Sequence, residues 1–378
     1  MLRREVHALV RERLRDFPAV ALVGPRQCGK TTFSRTLGHG YFDLEQRGDQ
    51  ARLDVAWDEL IEGDRLTILD EAQAHPEIFP RIRGAIDARR KKNGRFLLLG
   101  SVAPALMREV SESLAGRLAI VELSPLLLDE VGTPKMERLF RVGGFPDGGI
   151  LKPSAYPTWQ TSYLALMTQR DLPAWGLPAR AATTERLLRM IAASHGQVFN
   201  ASQLGQSLGL SYHTVQSYVG YLEGAYLVRR LAPYEANMKK RLVKSPRLYV
   251  RDTGLLHALL GVGAKDDLLS KPWVGASWEG FVIEQILATR SARGEALDAH
   301  YFRTQDGLEC DLVLAGREGP ELIEIKLTSD PHPADLAKLD ALGALLGARR
   351  TVLLSRTRRS VRGRNRWSVD LATYLAHA

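Results

Sequence analysis

Gly24-Pro25-Arg26-Gln27-Cys28-Gly29-Lys30-Thr31 fits the spacing G-x-x-x-x-G-K-[ST] of a phosphate-binding loop. The apolar run Ala19-Val20-Ala21-Leu22-Val23 before it reads as a buried strand. Thr32, Phe33, Arg35 and Leu37 after it read as a helix. Strand, glycine loop and helix N-terminus together make an anion site, because backbone N–H groups point at the phosphate and the helix dipole favours its charge. In this pattern residues Gly24 to Thr32 surround the phosphates, Lys30 reaches the β- and γ-phosphates, and the Thr31 hydroxyl ligates Mg²⁺.

A second apolar run, Leu66-Thr67-Ile68-Leu69, ends in two carboxylates, Asp70 and Glu71. It reads as a parallel strand delivering acids to its C-terminal end, where open α/β sheets bind ligands. Asp70 is the expected Mg²⁺ holder, acting through water. Glu71 is the expected base that orients and deprotonates an attacking water. A third strand, Phe96-Leu97-Leu98-Leu99, ends at Gly100-Ser101. Ser101 is read either as a sensor of the γ-phosphate or as a structural strand end. Arg117, in Leu114-Ala115-Gly116-Arg117, is read either as a neutraliser of transition-state charge or as one half of a surface salt bridge. These elements define a nucleoside triphosphate site.

The 378 residues suit two or three domains, and a hydrophobic fraction of 45% supplies their cores. No stretch reaches the ~20 apolar residues of a membrane span. The mixed-charge start Met1-Leu2-Arg3-Arg4-Glu5 lacks an apolar signal core. Cys28 and Cys310 make no disulfide framework, so a soluble, cytoplasmic protein without membrane partners is expected. The net charge of +9 is uneven. Arg349, Arg350, Arg356, Arg358, Arg359, Arg362, Arg364 and Arg366 crowd one segment; Lys239, Lys240, Arg241, Lys244 and Arg247 form another cluster. Such patches point to DNA or another polyanion, or to a solvated surface.

Strands at 19–23, 66–70, 96–100 and 118–122, with a further one at Tyr41-Phe42-Asp43-Leu44, alternate with helices, which is the signature of an α/β fold with a mostly parallel sheet. Residues 1–175 form the expected nucleotide-binding unit. Their last stretch, 125–175, reads as a small helical lid broken by Gly143-Gly144, Pro146 and Pro153. Residues 176–260 read as a winged-helix-like unit. Helices at 184–193 and 201–209 precede a third that is capped by Ser211 and buries Val215, Tyr218, Val219 and Leu222. Tyr212, His213, Gln216 and Ser217 are its expected exposed positions. Such a unit either reads DNA or packs against protein.

Residues 261–378 form the third unit. Trp278 to Leu287 reads as an amphipathic helix carrying Glu279. Glu309 to Leu314 and Glu321 to Lys326 read as a hairpin. With its loop centred between Arg317 and Glu318, Asp311 lies opposite Glu324 and Glu309 opposite Lys326. Opposed Cβ atoms ~4.5–5.5 Å apart let Asp311 and Glu324 share a metal ion. Glu279 is a further carboxylate for it, and Lys326 stands beside it to stabilise charge on a phosphate.

Together these segments resemble the prokaryotic AAA-superfamily ATPases that carry a C-terminal domain of unknown function. The resemblance rests on Gly24 to Thr32, Asp70-Glu71-Ala72-Gln73, Gly100-Ser101, Leu114 to Arg117, Gly143-Gly144-Phe145-Pro146, Asp252-Thr253-Gly254-Leu255, Glu309-Cys310-Asp311 and Glu324-Ile325-Lys326. It implies ATP and Mg²⁺ as cofactors and a first unit of AAA type. It further implies a C-terminal fold similar to restriction endonucleases, with a D…[DE]-x-K site at Asp311, Glu324 and Lys326 and the helical Glu279. That domain is then either an active nuclease or a vestigial one, and the protein either an ATPase acting with DNA or an ATP-controlled switch that binds DNA or protein. A homo-oligomer is compatible with either. Cys28 departs from the family loop, where a small aliphatic residue is usual; at a helix N-terminus its thiolate is expected to be favoured.

Overall fold

The computed structural model describes residues 2–38, 40–101 (Ser101 by its backbone alone), 114–235, 243–263 and 267–377. Lys239, Lys240 and Arg241 of the second basic cluster lie outside the described residues.

Five strands, β1 (Ala19–Gly24), β2 (Gly40–Asp43), β3 (Thr67–Asp70), β4 (Phe96–Ser101) and β5 (Leu118–Glu122), form a sheet in the order β2-β3-β4-β1-β5. Every pairing is parallel. β1 and β3 are buried along their whole length, as strands covered on both faces must be, which explains their unbroken apolar runs. The register sets Gly24 beside Ser101 and Asp43 beside Asp70, so the C-terminal edge of the sheet collects the loop and the acids.

A second sheet contains β6 (Val228–Pro233), β7 (Arg247–Val250), β8 (Ala299–Arg303), β9 (Glu309–Leu314), β10 (Glu321–Ile325), β11 (Arg350–Leu354), β12 (Val361–Arg362) and β13 (Arg366–Val369). Its order is β12-β13-β11-β10-β9-β8-β6-β7. β9 and β10 pair antiparallel with Leu314 opposite Glu321 and Leu312 opposite Ile323, the register expected for a loop centred between Arg317 and Glu318. β6 starts at Val228, two residues after Tyr226, whose φ of 59° excludes it from the extended run. The sheet runs across residue 260, because β6 pairs with β8 in parallel.

Between the two sheets stands the helix Val274–Ala292. An amphipathic helix was the expectation over 278–287, yet Trp278, Gly280, Phe281, Val282, Ile283, Gln285, Ile286 and Leu287 are all buried. The physical reason is contact on several sides: the helix meets β5 of the first sheet, the helix Thr253–Leu259 and the last helix, Leu371–His377. A helix enclosed this way needs no polar stripe.

The helices Ala181–Ala193, Ala201–Leu208 and Tyr212–Gly224 appear as expected, with the Ser211 side chain accepting from Thr214 N at the third N-terminus. The stretch 125–175 does more than cover the first sheet. Phe145, Tyr163, Leu164 and Met167 share one apolar cluster with Leu187, Ile191, Val219 and Leu256. Gly143 sits at this seam with φ +77°, and a Cβ there would lie 2.0 Å from Asp252 Oδ1. The next residue uses the same carboxylate, Gly144 N donating to Asp252 Oδ2 at 2.7 Å. The Gly-Gly pair thus admits a buried aspartate, which also caps the helix Thr253–Leu259.

Candidate active site: a phosphate loop and a buried carboxylate cluster

The chain leaves β1 at Gly24 with φ +154°, where a Cβ would meet Leu123 O at 2.2 Å, so only glycine passes. Gln27 (φ 60°) and Gly29 (φ 99°) turn the loop before the helix Lys30–Ser34. A left-handed non-glycine residue such as Gln27 stores on the order of 1 kcal/mol, which the surroundings must hold. Arg4 does much of this holding. It is buried, and it donates to Cys28 O at 3.0 Å, to Ser124 O at 2.6 Å and to Glu130 at 3.0 Å. Lys30 is 6% exposed and donates to Gly24 O and Pro25 O at 3.0 and 2.9 Å.

Asp70, at the end of β3, accepts from Thr31 Oγ1 at 2.6 Å and from Tyr41 OH at 2.7 Å on Oδ2, and from Glu71 N at 3.0 Å on Oδ1. The two expected Mg²⁺ ligands are therefore in contact, and their oxygens suit a hard cation. Burial, reinforced by Asp70, pushes the Tyr41 hydroxyl up, so it remains a donor. Glu71 follows in a left-handed turn (φ 48°) and takes a hydrogen bond from Gln73. Burial raises its carboxyl above the ordinary range, which strengthens it as a base.

A cavity of about 1140 Å³ opens over the loop. Lys30, Thr31 and Glu71 line it together with Tyr163, Arg170 and Asp171 from later in the chain and Leu2, Arg3 and His7 from its start. Two parts of this lining are joined by Arg26, whose Nη1 donates to Asp171 Oδ1 at 2.7 Å. Asp171 ends a turn of π-helix, Met167–Asp171, within the run that follows Thr158. The Tyr163 hydroxyl is buried without a hydrogen-bond partner among the described residues. Sequence reasoning missed Arg4, Tyr41, Tyr163 and Asp171, because each acts through a contact with a distant segment.

Arg117 takes the second of its two readings, a surface salt bridge, and the expectation for Cys28 needs correction. Arg117 does not reach the loop of its own chain. Leu118 pairs with Ala19, so Arg117 stands at the N-terminal edge of the sheet, a strand length from Gly24, and forks onto Asp87 at 2.9 and 3.0 Å. Cys28 is fully buried, with Sγ on Leu123 O at 3.3 Å. Burial pushes its thiol up and disfavours the thiolate. Ser101 ends β4 beside Gly24, and its side chain lies outside the described residues.

The C-terminal carboxylates do converge. Tyr249 OH donates to Glu279 Oε1 at 2.6 Å, Ile325 N to Asp311 Oδ2 at 2.9 Å, and Lys326 Nζ to Glu324 Oε1 at 2.7 Å. Burial, with Asp311 close by, pushes the Glu279 and Glu324 carboxyls above their ordinary range. Arg247 joins them unforeseen. It belonged to the basic cluster read as a surface patch, yet it is buried, donating to Glu279 at 3.1 Å and to Glu309 at 3.2 Å. Among the described residues, no group of three or more His, Cys, Asp or Glu is arranged to hold a metal ion.

A parallel α/β sheet with a phosphate loop on one strand and an Asp-Glu pair on another defines an ATPase-type nucleotide-binding domain. Family models agree: residues 16–132 match an AAA domain, 133–266 a domain of unknown function (DUF8612) and 274–374 another (DUF4143). The uncharacterized proteins Rv2008c of Mycobacterium tuberculosis and Mb2031c of Mycobacterium bovis are each 40% identical to the chain over 334 residues, covering 87% of it and 75% of their own length. The chain belongs to the same family as these two proteins. A crystal structure of protein VC1899 from Vibrio cholerae aligns over 91% of this chain and 90% of its own at 14% identity, with a TM-score of 0.19. Among the described residues, no helix is long and apolar enough to cross a membrane.

Proposed function

We propose that the chain binds ATP with Mg²⁺ in the cavity over the phosphate loop and hydrolyses it. The observation that carries this reading is the contact of Thr31 with Asp70 beneath Lys30, with Glu71 lining the same cavity. Thr31 and Asp70 would hold Mg²⁺, which neutralises charge on the β- and γ-phosphates. Lys30 would exchange its two loop carbonyls for phosphate oxygens. Glu71 would take the proton of the attacking water. Tyr163, lining the cavity with a buried hydroxyl that has no hydrogen-bond partner among the described residues, is a further donor for the nucleotide. Arg117 could act only on a neighbouring copy, which is the one role that would require a homo-oligomer.

The test pairs two substitutions. Glu71→Gln keeps the shape of the site but removes the base, and should lower ATP turnover ~10²–10⁴-fold while nucleotide binding persists. Lys30→Ala should weaken binding itself. A Glu71→Gln protein that turns over ATP at the parent rate would sink the assignment.

We further assign residues 1–175 to an AAA-type unit, 176–260 to a winged-helix-like unit and 261–378 to a restriction-endonuclease-like unit, with DNA as partner. Three helices followed by the β6–β7 hairpin support the second assignment. Exposed Tyr212 and His213 on the third helix support DNA contact. So does a cationic strip: Arg358, Arg359, Arg362 and Arg364 are exposed, and none pairs with an acid among the described residues. One feature favours the alternative, an ATP-controlled switch that binds DNA or protein. Arg251, at the end of β7, bridges Glu122 of the first sheet and Glu284 of the central helix at 2.5 and 2.6 Å, tying the nucleotide-binding sheet to the rest.

A further inference from the structure

The D…[DE]-x-K resemblance implies a divalent ion between Asp311 and Glu324, and the residues present do not fit one. Arg247 stands on the Asp311 side of that pair, and Lys326 on the Glu324 side. The Arg247 side chain is 6% exposed, and one planar guanidinium faces three carboxylates: Glu279 at 3.1 Å, Glu309 at 3.2 Å and Asp311 Oδ1 at 3.6 Å. The ring of Tyr301 lies 4.8 Å from its centre. Two further oxygens are engaged, Asp311 Oδ2 by Ile325 N and Glu324 Oε1 by Lys326.

We propose that Arg247 is the resident cation of this cluster, and that it closes the metal site that the carboxylate pattern implies. A divalent ion needs six or more oxygens at ~2.0–2.6 Å, and here it would have to displace a charge of its own sign. Arg247 is poorly placed to swing away. Its side chain is buried and held by two carboxylates and the Tyr301 ring, and its backbone pairs with Leu231 across the β6–β7 ladder and bridges to Val198. A planar, always-charged fork meets several carboxylates at once, which a compact ammonium does not. The chain thus keeps the nuclease-like carboxylates while neutralising them from within.

The inference rests on the endonuclease-like reading only for the expectation of a metal. Its test is independent of ATP turnover. Mn²⁺ is titrated calorimetrically, without nucleotide, into four full-length proteins that all carry Asp70→Asn to silence the phosphate-loop site. They are this background, and the background with Asp311→Asn, with Arg247→Met, and with both. The background and its Asp311→Asn form should titrate alike. Arg247→Met should gain one Mn²⁺ site bound at least ~10-fold more tightly than any in the background, and the double variant should lose it. Mn²⁺ binding by the background that Asp311→Asn abolishes would overturn the proposal, and this comparison does not depend on the Arg247 variant folding. A folded Arg247→Met protein that gains no Asp311-dependent site would overturn it as well.

Discussion

Replacing Arg251 with methionine tests the tie between the two sheets. Glu284 is buried, which alone would push its carboxyl up, yet Arg229 and Arg251 hold it from the ordinary 4.5 down to about 2. Arg229 contributes hydrogen bonds of 2.7 and 3.1 Å, and Arg251 bonds of 2.8 and 2.6 Å. At ~1.4 kcal/mol per pH unit, that depression represents about 3 kcal/mol of folded-state stability at neutral pH. Losing one of two partners forfeits about half of it. Removing a partner from a buried pair can cost ~3–5 kcal/mol when the remaining charge is left uncompensated, but Glu284 keeps Arg229. The expected loss is therefore about 1.5–3 kcal/mol. The pH dependence identifies the source. A depressed carboxylate contributes in full above its unfolded value near 4.5, and its contribution disappears as pH falls through about 2. The gap between parent and Arg251→Met should hold from pH 7 to about 5 and close toward pH 2. Urea midpoints followed by circular dichroism at several pH values measure it. A variant as stable as the parent at pH 7, or a gap unchanged at pH 3, would refute the reasoning.

Native-state labelling with a thiol reagent should leave Cys28 and Cys310 unmodified, since both are fully buried, and urea should expose both. Rapid labelling of Cys28 in the folded protein would contradict its raised thiol. DNA affinity should fall with salt, and replacing Arg358, Arg359, Arg362 and Arg364 by alanine should shallow the log–log slope by ~0.9 for each phosphate that is no longer neutralised. An unchanged slope would remove that strip from the interface. Asp171→Asn should weaken the Arg26 contact within the cavity lining and raise the KM for ATP more than it lowers kcat; an equal fall in both kcat and kcat/KM would assign Asp171 to the chemical step instead.

The phosphate loop, the five strands and the Asp70-Glu71 pair were legible because each is written in contiguous residues with a fixed local geometry. The β9–β10 register was legible for a similar reason, since a short connection limits how two strands can align. What stayed hidden depends on distance along the chain. Arg247 reads as one more basic residue beside Lys244, and charge content says nothing of burial. Only the fold brings Glu279 and Asp311 against it. Arg4 supports the loop by contacts with Ser124 and Glu130, and Tyr163 lines the cavity from a helix far along the chain. The central helix reads as amphipathic because its sequence does not say how many neighbours it has, and the fold supplies several.

The parallel pairing of β6 with β8 has a consequence for how the chain is made. β6 leaves the ribosome with β7 as its only neighbour, and its other edge waits for the central helix and β8 to be synthesised. At ~5–20 residues per second that wait lasts several seconds, during which a bare strand edge is open to other chains. A message truncated after β7 would leave the edge open for good. Its product should therefore aggregate rather than persist as a smaller ATPase.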